Sequence, residues 1–247
     1  HNKFSFKLDS LDLGLYMFKH AGEFQYLYLE PKDSLLIYLN TWDFDESLIF
    51  SGKGSGKNNY LINLYIQQER TEKDFKKNYR LDEAAFTAVI NDGIKKQLEI
   101  YNEFLSTEEG DPSSFFEKLA KTGIYVPFYF YKERYAYNHK KMMGLEKAPE
   151  LSNDFYKYRK QIELNDESLL DYGWNLAFVN TFLYNLAHDE KLKDPQNHIF
   201  ELELMKIVED RIHVNDFKNS LLAKGAWGAL SNKHLSKEDS EKVYAYF

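Results

Sequence analysis

The chain contains no cysteine. Disulfides, thiolate nucleophiles and thiolate metal sites are thereby excluded across its 247 residues. Backbone breakers are also scarce, with five prolines and 12 glycines, which suits long helices better than an all-β architecture. No apolar run approaches the ~20 residues that span a bilayer, so no transmembrane segment is expected. The opening HNKFSFKLDS has neither the charged nor the apolar part of a signal peptide. Basic residues are in the minority: 32 Lys and Arg stand against 39 Asp and Glu, a formal net charge of −7. That balance argues against nucleic acid as the main partner and does not favour an acidic substrate.

Rings are what the chain has in abundance. It carries 19 Tyr and 19 Phe, so much of the core and part of the surface is built from aromatic side chains. From Phe4 to Phe50 apolar residues alternate in short bursts: FSFKL, GLYMFKH, EFQYLYLEP, SLLIYLNT and SLIF. Period-two placement broken by HAGE and EPKDS predicts a meander of four or five antiparallel strands, with Gly22 taking positive φ and Pro31 starting a bend. Such a sheet has one apolar face and needs a cover.

From about Asn58 onward the pattern is helical. Asn58 or Asn59 is placed to cap YLINLYIQQE, and Thr71–Asp74 has capping-box spacing. A long helix is expected from about Leu81 to Ser106, where apolar residues recur at intervals of three and four. Ser114 to Glu117 starts another, and Pro127 breaks or kinks it. Further helices are expected at 153–162, 168–188, 199–212 and 236–246, with no fixed-period repeat. The expected fold class is α+β: a small N-terminal antiparallel β-sheet, a meander over 1–57, followed by a mostly helical domain over 58–247.

Four stretches and the scattered histidines offer chemistry. In LIFSGKGSGKNNYL a glycine-rich loop with Lys53 and Lys57 joins a strand to a helix, as in a phosphate loop. The spacing fails at both ends, since Gly56-Lys57 is preceded five residues earlier by Ser51 and followed by Asn58. A dinucleotide fingerprint fails as well, because Gly52 and Gly54 would require glycine at Lys57. The two lysines beside a helix start still attract anions, but a structural turn from sheet to helix is the better reading. The histidines are His1, His20, His139, His188, His198, His213 and His234, and none forms a helix-face metal pair. AHDE at 187–190 falls at an expected helix end, where such residues are ordinarily solvated or capping. Asp43 and Asp45 are paired carboxylates suited to acid and base work, or else solvated turn residues. The stretch Tyr129–Met143 mixes rings and cations as single-strand binders do. On a helix, Phe128, Tyr131, Tyr135 and Met142 would form one packing stripe, leaving Lys132, Arg134 and Lys140 on a solvated basic face. No Gly-x-Ser-x-Gly elbow is present, so no covalent hydrolase signature is visible.

Taken together, NKFSFKLD, GLYMFKHAGEFQYLYLEPKDSLLIYLN, DFDESLIFSGKGSGKNNYLINLY and the aromatic helices after YRLDEAAF resemble one family. They are similar to the long N-terminal region that precedes the thioredoxin-like domain in Bacteroidetes-type envelope proteins of the TlpA and ResA kind. The family's Trp-Cys-x-x-Cys motif is missing, and Trp42, Trp174 and Trp227 sit in no such context. The resemblance therefore implies location and architecture only: periplasmic or outer-membrane-associated, with attachment through a lipidated leader and a protein partner in the envelope. No catalytic, cofactor-binding or metal-binding residue and no cofactor is carried over. The expected function is a non-catalytic envelope module that binds or positions a partner or an attached thioredoxin-like domain. The alternatives are an accessory subunit of an outer-membrane protein assembly, and a hydrolase whose carboxylate or histidine site is not visible as a motif.

Overall fold

A computed structural model describes residues 3–110, 112–170, 172–194, 199–231 and 235–246. The chain forms two compact units, His1–Tyr125 and Val126–Phe247. The class is α+β, with strands confined to the N-terminal part and helices after it.

In the first unit β1 (Gly14–His20) pairs antiparallel with β2 (Glu23–Leu29), and β3 (Ser34–Tyr38) pairs antiparallel with β4 (Ile49–Lys53). A four-residue helix, α1 (Phe44–Ser47), lies between β3 and β4. The expected meander is thus two separate two-stranded sheets, and Phe4–Leu8 belongs to no strand. Alternation in β1 and β3 sends Tyr16, Phe18, Leu35 and Ile37 onto a core of Leu27, Leu48, Phe50 and Ile62. The β1–β2 turn takes its positive φ at Ala21 (53°) rather than at Gly22. Pro31 does start a bend, which Lys32 completes at φ 74° and the Asp33 amide closes onto the Glu30 carbonyl.

Helix α2 (Ser55–Phe75) and α3 (Glu83–Leu105) run antiparallel, and their facing rings make a ladder. Phe75 meets Phe86 at 5.8 Å at one end, and Tyr60 meets Tyr101 at 5.4 Å at the other. Asp82 caps α3 by accepting from the Ala85 amide. Thr71 does not start a helix: it lies inside α2 and bonds back to the Gln67 carbonyl. Helix α4 (Ser114–Glu133) begins as expected, with the Ser113 hydroxyl accepting from the Phe116 amide.

Pro127 lies inside α4, and the helix runs through it. Proline has no N–H, so the carbonyl four residues earlier, that of Gly123, loses its helical donor. The buried Gln68 side chain supplies the replacement, with Nε2 donating to the Gly123 oxygen at 2.5 Å.

The second unit contains α5 (Tyr135–Met143), α6 (Trp174–Lys193), α7 (Phe200–Arg211), α8 (Asn215–Ser231) and α9 (Lys237–Tyr246). Where a helix is expected over 153–162 there are turns and a short 3-10 helix, Lys157–Gln161. Ser236 caps α9 through the Asp239 amide. The core joins Phe178, Val179, Phe182 and Leu183 of α6 to Val208, Ile212 and Leu221. Gly225 of α8 faces Met205 of α7 so closely that a Cβ would lie 2.9 Å from the Met205 Cγ and would force that side chain to shift. Among the described residues, no helix is long and apolar enough to cross a membrane.

Candidate functional site

The glycine-rich joint is the first polar constellation. Gly54, at φ 90°, turns the chain from β4 into α2, which starts at Ser55 and not after the asparagines. A Cβ there would lie 2.5 Å from the Asp33 carboxyl carbon. The amides of the first helical turn attract negative charge, and the chain supplies that charge itself. The Gly56 N–H donates to Glu109 Oε2, and the Ser55 hydroxyl reaches Glu109 Oε1 at 3.4 Å. A Cβ on Gly56 would collide with that carboxylate. The position where a phosphate loop would hold its ligand is therefore occupied by a side chain from the loop after α3.

Neither lysine faces an open cradle. Lys53 is exposed. Lys57 Nζ is 2.8 Å from Glu30 Oε1 and 5.5 Å from the centre of the Tyr28 ring. The Tyr28 hydroxyl donates to Glu30 Oε1 at 2.7 Å and meets the Ser113 hydroxyl at 2.5 Å, so one polar chain links α2, β2 and the start of α4. Burial, and then the carboxylates beside it, push the Tyr28 phenol well above its ordinary range. Burial alone would raise the Glu30 carboxyl, but hydrogen bonds from Lys57 and Tyr28 outweigh it and hold the group below its usual value.

Asn58 and Asn59 do not cap the helix. Asn58 Oδ1 accepts from the Tyr28 amide and its Nδ2 donates to the Tyr28 carbonyl, both at 2.8 Å. Asn59 repeats the exchange with the amide and carbonyl of Phe50, both at 2.9 Å. Each carboxamide presents one N–H and its oxygen to the strand, as a backbone residue does, and so acts as a one-residue strand on the free edge of β2 or β4. At Tyr28 the edge of β2 that a meander would offer to β3 is thus taken by Asn58.

The second constellation is centred on Glu133, at the end of α4, whose side chain is fully buried. Its carboxylate holds Arg159 in a bidentate pair, Nε to Oε1 at 2.8 Å and Nη2 to Oε2 at 2.6 Å. It also accepts from the Tyr158 hydroxyl at 2.5 Å and from Asn185 Nδ2 at 2.7 Å. Asp189 approaches the other side of Arg159 at 3.6 Å. The guanidinium stacks on the Tyr156 ring at 4.1 Å, and Lys132 lies over Phe155 and Tyr158 at 4.5 and 4.6 Å. Burial lowers the affinity of Arg159 for its proton, but the hydrogen bonds and charge of Glu133 more than offset it. Tyr158 is raised, first by burial and then by Glu133. Each oxygen of the carboxylate has a donor, so the group fastens the 3-10 segment and α6 to α4.

The other sequence candidates are dispersed. Asp43 is exposed and reaches Asn40 at 3.5 Å, while Asp45 accepts from Gln25 Nε2 at 2.9 Å. The pair therefore binds different partners and does not converge on one site. Burial raises the Asp45 carboxyl, the Gln25 bond opposes it, and Glu46, Glu23 and Glu69 add to it. His20, His188 and His213 are exposed, and His139 stacks on Tyr135 at 5.1 Å. His1, His198 and His234 lie outside the described residues. Among the described residues, no group of three or more His, Asp or Glu is placed to hold a metal ion. In the aromatic and basic stretch Phe128, Tyr131 and Tyr135 are buried as the stripe predicts. Lys132 departs from the solvated basic face: it is 8 % exposed, because α4 turns it onto rings of the second unit. Of the tryptophans, Trp174 packs on Phe130, whereas Trp42 and Trp227 are exposed.

Glu30, Glu109, Ser113, Glu133, Arg159 and Asn185 were not among the sequence candidates. In the first unit Glu30, Glu109 and Ser113 reach partners 27, 53 and 85 residues away, and in the second Arg159 and Asn185 reach Glu133 across 26 and 52, so no local spacing marks them. No protein-family model, curated protein or solved structure matches the chain.

Proposed function

We propose that this chain is a non-catalytic binding module that positions a partner protein, or a thioredoxin-like domain attached to it, in the cell envelope. The reading is supported by a division of labour among side chains. The charged groups that resembled reactive chemistry hold structural elements together, while large rings stand at the surface. Trp227 carries the reading furthest: it is 71 % exposed on α8, with exposed Ala223 and Leu230 at helical spacing on the same face. Exposed tryptophan flanked by apolar surface is the usual material of a protein-binding anchor. The envelope assignment rests on the family resemblance of the glycine joint and the strands before it.

Crosslinking in native envelope fractions, followed by mass spectrometry, tests the proposal. One stoichiometric partner, lost in the Trp227→Ser variant while the fold is kept, is expected. A chain that crosslinks to nothing, or hydrolase turnover abolished by Asp43→Asn, would contradict it.

A further inference from the structure

We infer that residues 3–8 of one chain add as a strand to the open edge of β1 in a second copy, giving a two-fold dimer by reciprocal exchange. The donor is Lys3-Phe4-Ser5-Phe6-Lys7-Leu8, which alternates apolar and polar residues as a strand does yet belongs to no element. Its apolar face is bare, with Phe4 79 %, Phe6 85 % and Leu8 62 % exposed. Rings left that open mark a surface that awaits a partner.

The acceptor follows from the asparagine clamps. Asn58 occupies the free edge of β2 at Tyr28 and Asn59 that of β4 at Phe50, whereas β1 and β3 have no strand on their outer edges among the described residues, and of these two only the seven-residue β1, against five residues in β3, is long enough to take residues 3–8. An unpaired edge is a template for another strand. At seven residues β1 is long enough for the whole arm, and exposed Met17 on β1 and Phe24 on β2 offer apolar surface beside it. Antiparallel addition with Phe6 beside Met17 sets Leu8 against Leu15 and Lys3 against His20. Lys3 then lies at the end of the hairpin, where Glu23 stands across from His20 and beside Lys19.

A second copy is the occupant because the chain carries both halves of the contact and does not join them itself. The Tyr16 hydroxyl donates to the Asp12 carbonyl at 2.7 Å, pinning the link, and the arm leaves its own sheet with its rings in solvent. Exchange of identical arms between two copies closes with two-fold symmetry. This inference stands apart from the Trp227 surface, which lies in the other unit.

The absence of native cysteine makes the test clean. A Phe6→Cys, Met17→Cys double variant is oxidised at high protein concentration and run without reductant. Both positions are exposed, so the variant keeps its packing, and far-ultraviolet circular dichroism checks this. The expected result is a disulfide-linked dimer of twice the chain mass, and a linked pair when the two single variants are mixed. Light scattering of the parent shows a dimer that becomes a monomer when residues 3–8 are deleted. An internal disulfide in a monomer, no disulfide with a monomeric parent, or a dimer that survives deletion of the arm would overturn the inference.

Discussion

Removing the Glu133 carboxylate is the perturbation with the largest expected effect. In Glu133→Ala, Arg159 keeps its charge but loses both bonds of a bidentate pair, at 2.8 and 2.6 Å, inside a site where the Glu133 side chain has no exposure. Breaking a buried ion pair by deleting one partner costs about 3–5 kcal/mol. The Tyr158 hydroxyl is orphaned as well, which adds about 1 kcal/mol or more. Asn185 retains a bond to the Glu133 backbone carbonyl, so its loss is partial. Asp189, 3.6 Å from the guanidinium, remains as a partial counter-charge, so a total of about 3–4 kcal/mol is expected. The double variant Glu133→Leu, Arg159→Met should recover most of this, because apolar replacement of a whole buried pair is often neutral or stabilising. Urea unfolding followed by tryptophan fluorescence reads the second unit, since Trp174 packs on Phe130 and Tyr131 within it. A single-variant loss below about 1 kcal/mol, or a double variant as unstable as the sum of the two singles, would refute the buried-hub reasoning.

Two further perturbations concern Gln68 and Asp45. Gln68→Leu leaves the Gly123 carbonyl without a donor and should cost about 1–3 kcal/mol. Adding Pro127→Ala should restore part of that loss by returning the helical N–H, and an equal loss with and without proline would show that the carbonyl is not the reason. The Asp45 carboxyl is raised above its ordinary 3.8 by burial and neighbouring acids, so its ionisation opposes folding. Below pH 3.8 it is protonated folded and unfolded alike, and the penalty appears as pH rises through the unfolded value and on past the folded one. Asp45→Asn, which still accepts from Gln25, should therefore raise the melting temperature at pH 7 and leave it unchanged below pH 3. A gain at low pH that vanishes at neutrality would reverse the sign.

The long helices are legible in the sequence because α3 has an uninterrupted apolar stripe and an Asp82 cap, and α9 has its Ser236 cap. Strand positions are legible where the alternating residues also find a core to cover, as in GLYMFKH and SLLIY, whereas the equally alternating Phe4–Leu8 forms no strand. Pairing is not legible. The edge of β2 that a meander would offer to β3 is taken at Tyr28 by the Asn58 carboxamide, and no local pattern announces a side chain as a strand. Helix α8 is missed because Gly225 and Gly228 lower its apparent propensity, while Gly225 serves the close approach to Met205. The Glu133 hub is missed because its members belong to distant segments, each unremarkable alone. The glycine phrase is legible as a turn from sheet to helix, but nothing near it in sequence identifies Glu109 as the group that takes the helix start.

The most direct test of the joint as architecture rather than ligand chemistry is the unfolding free energy of Asn58→Asp at pH 7. Asn58 is 1 % exposed, and its Nδ2 donates to the carbonyls of Tyr28 and Gly54. Aspartate keeps the shape but sets a buried carboxylate against both oxygens. A loss of about 3 kcal/mol or more is expected, reduced on acidification as the carboxyl regains a proton to donate. A change within about 0.5 kcal/mol, the range of an ordinary surface substitution, would contradict the assignment of this phrase to holding strands and helix together.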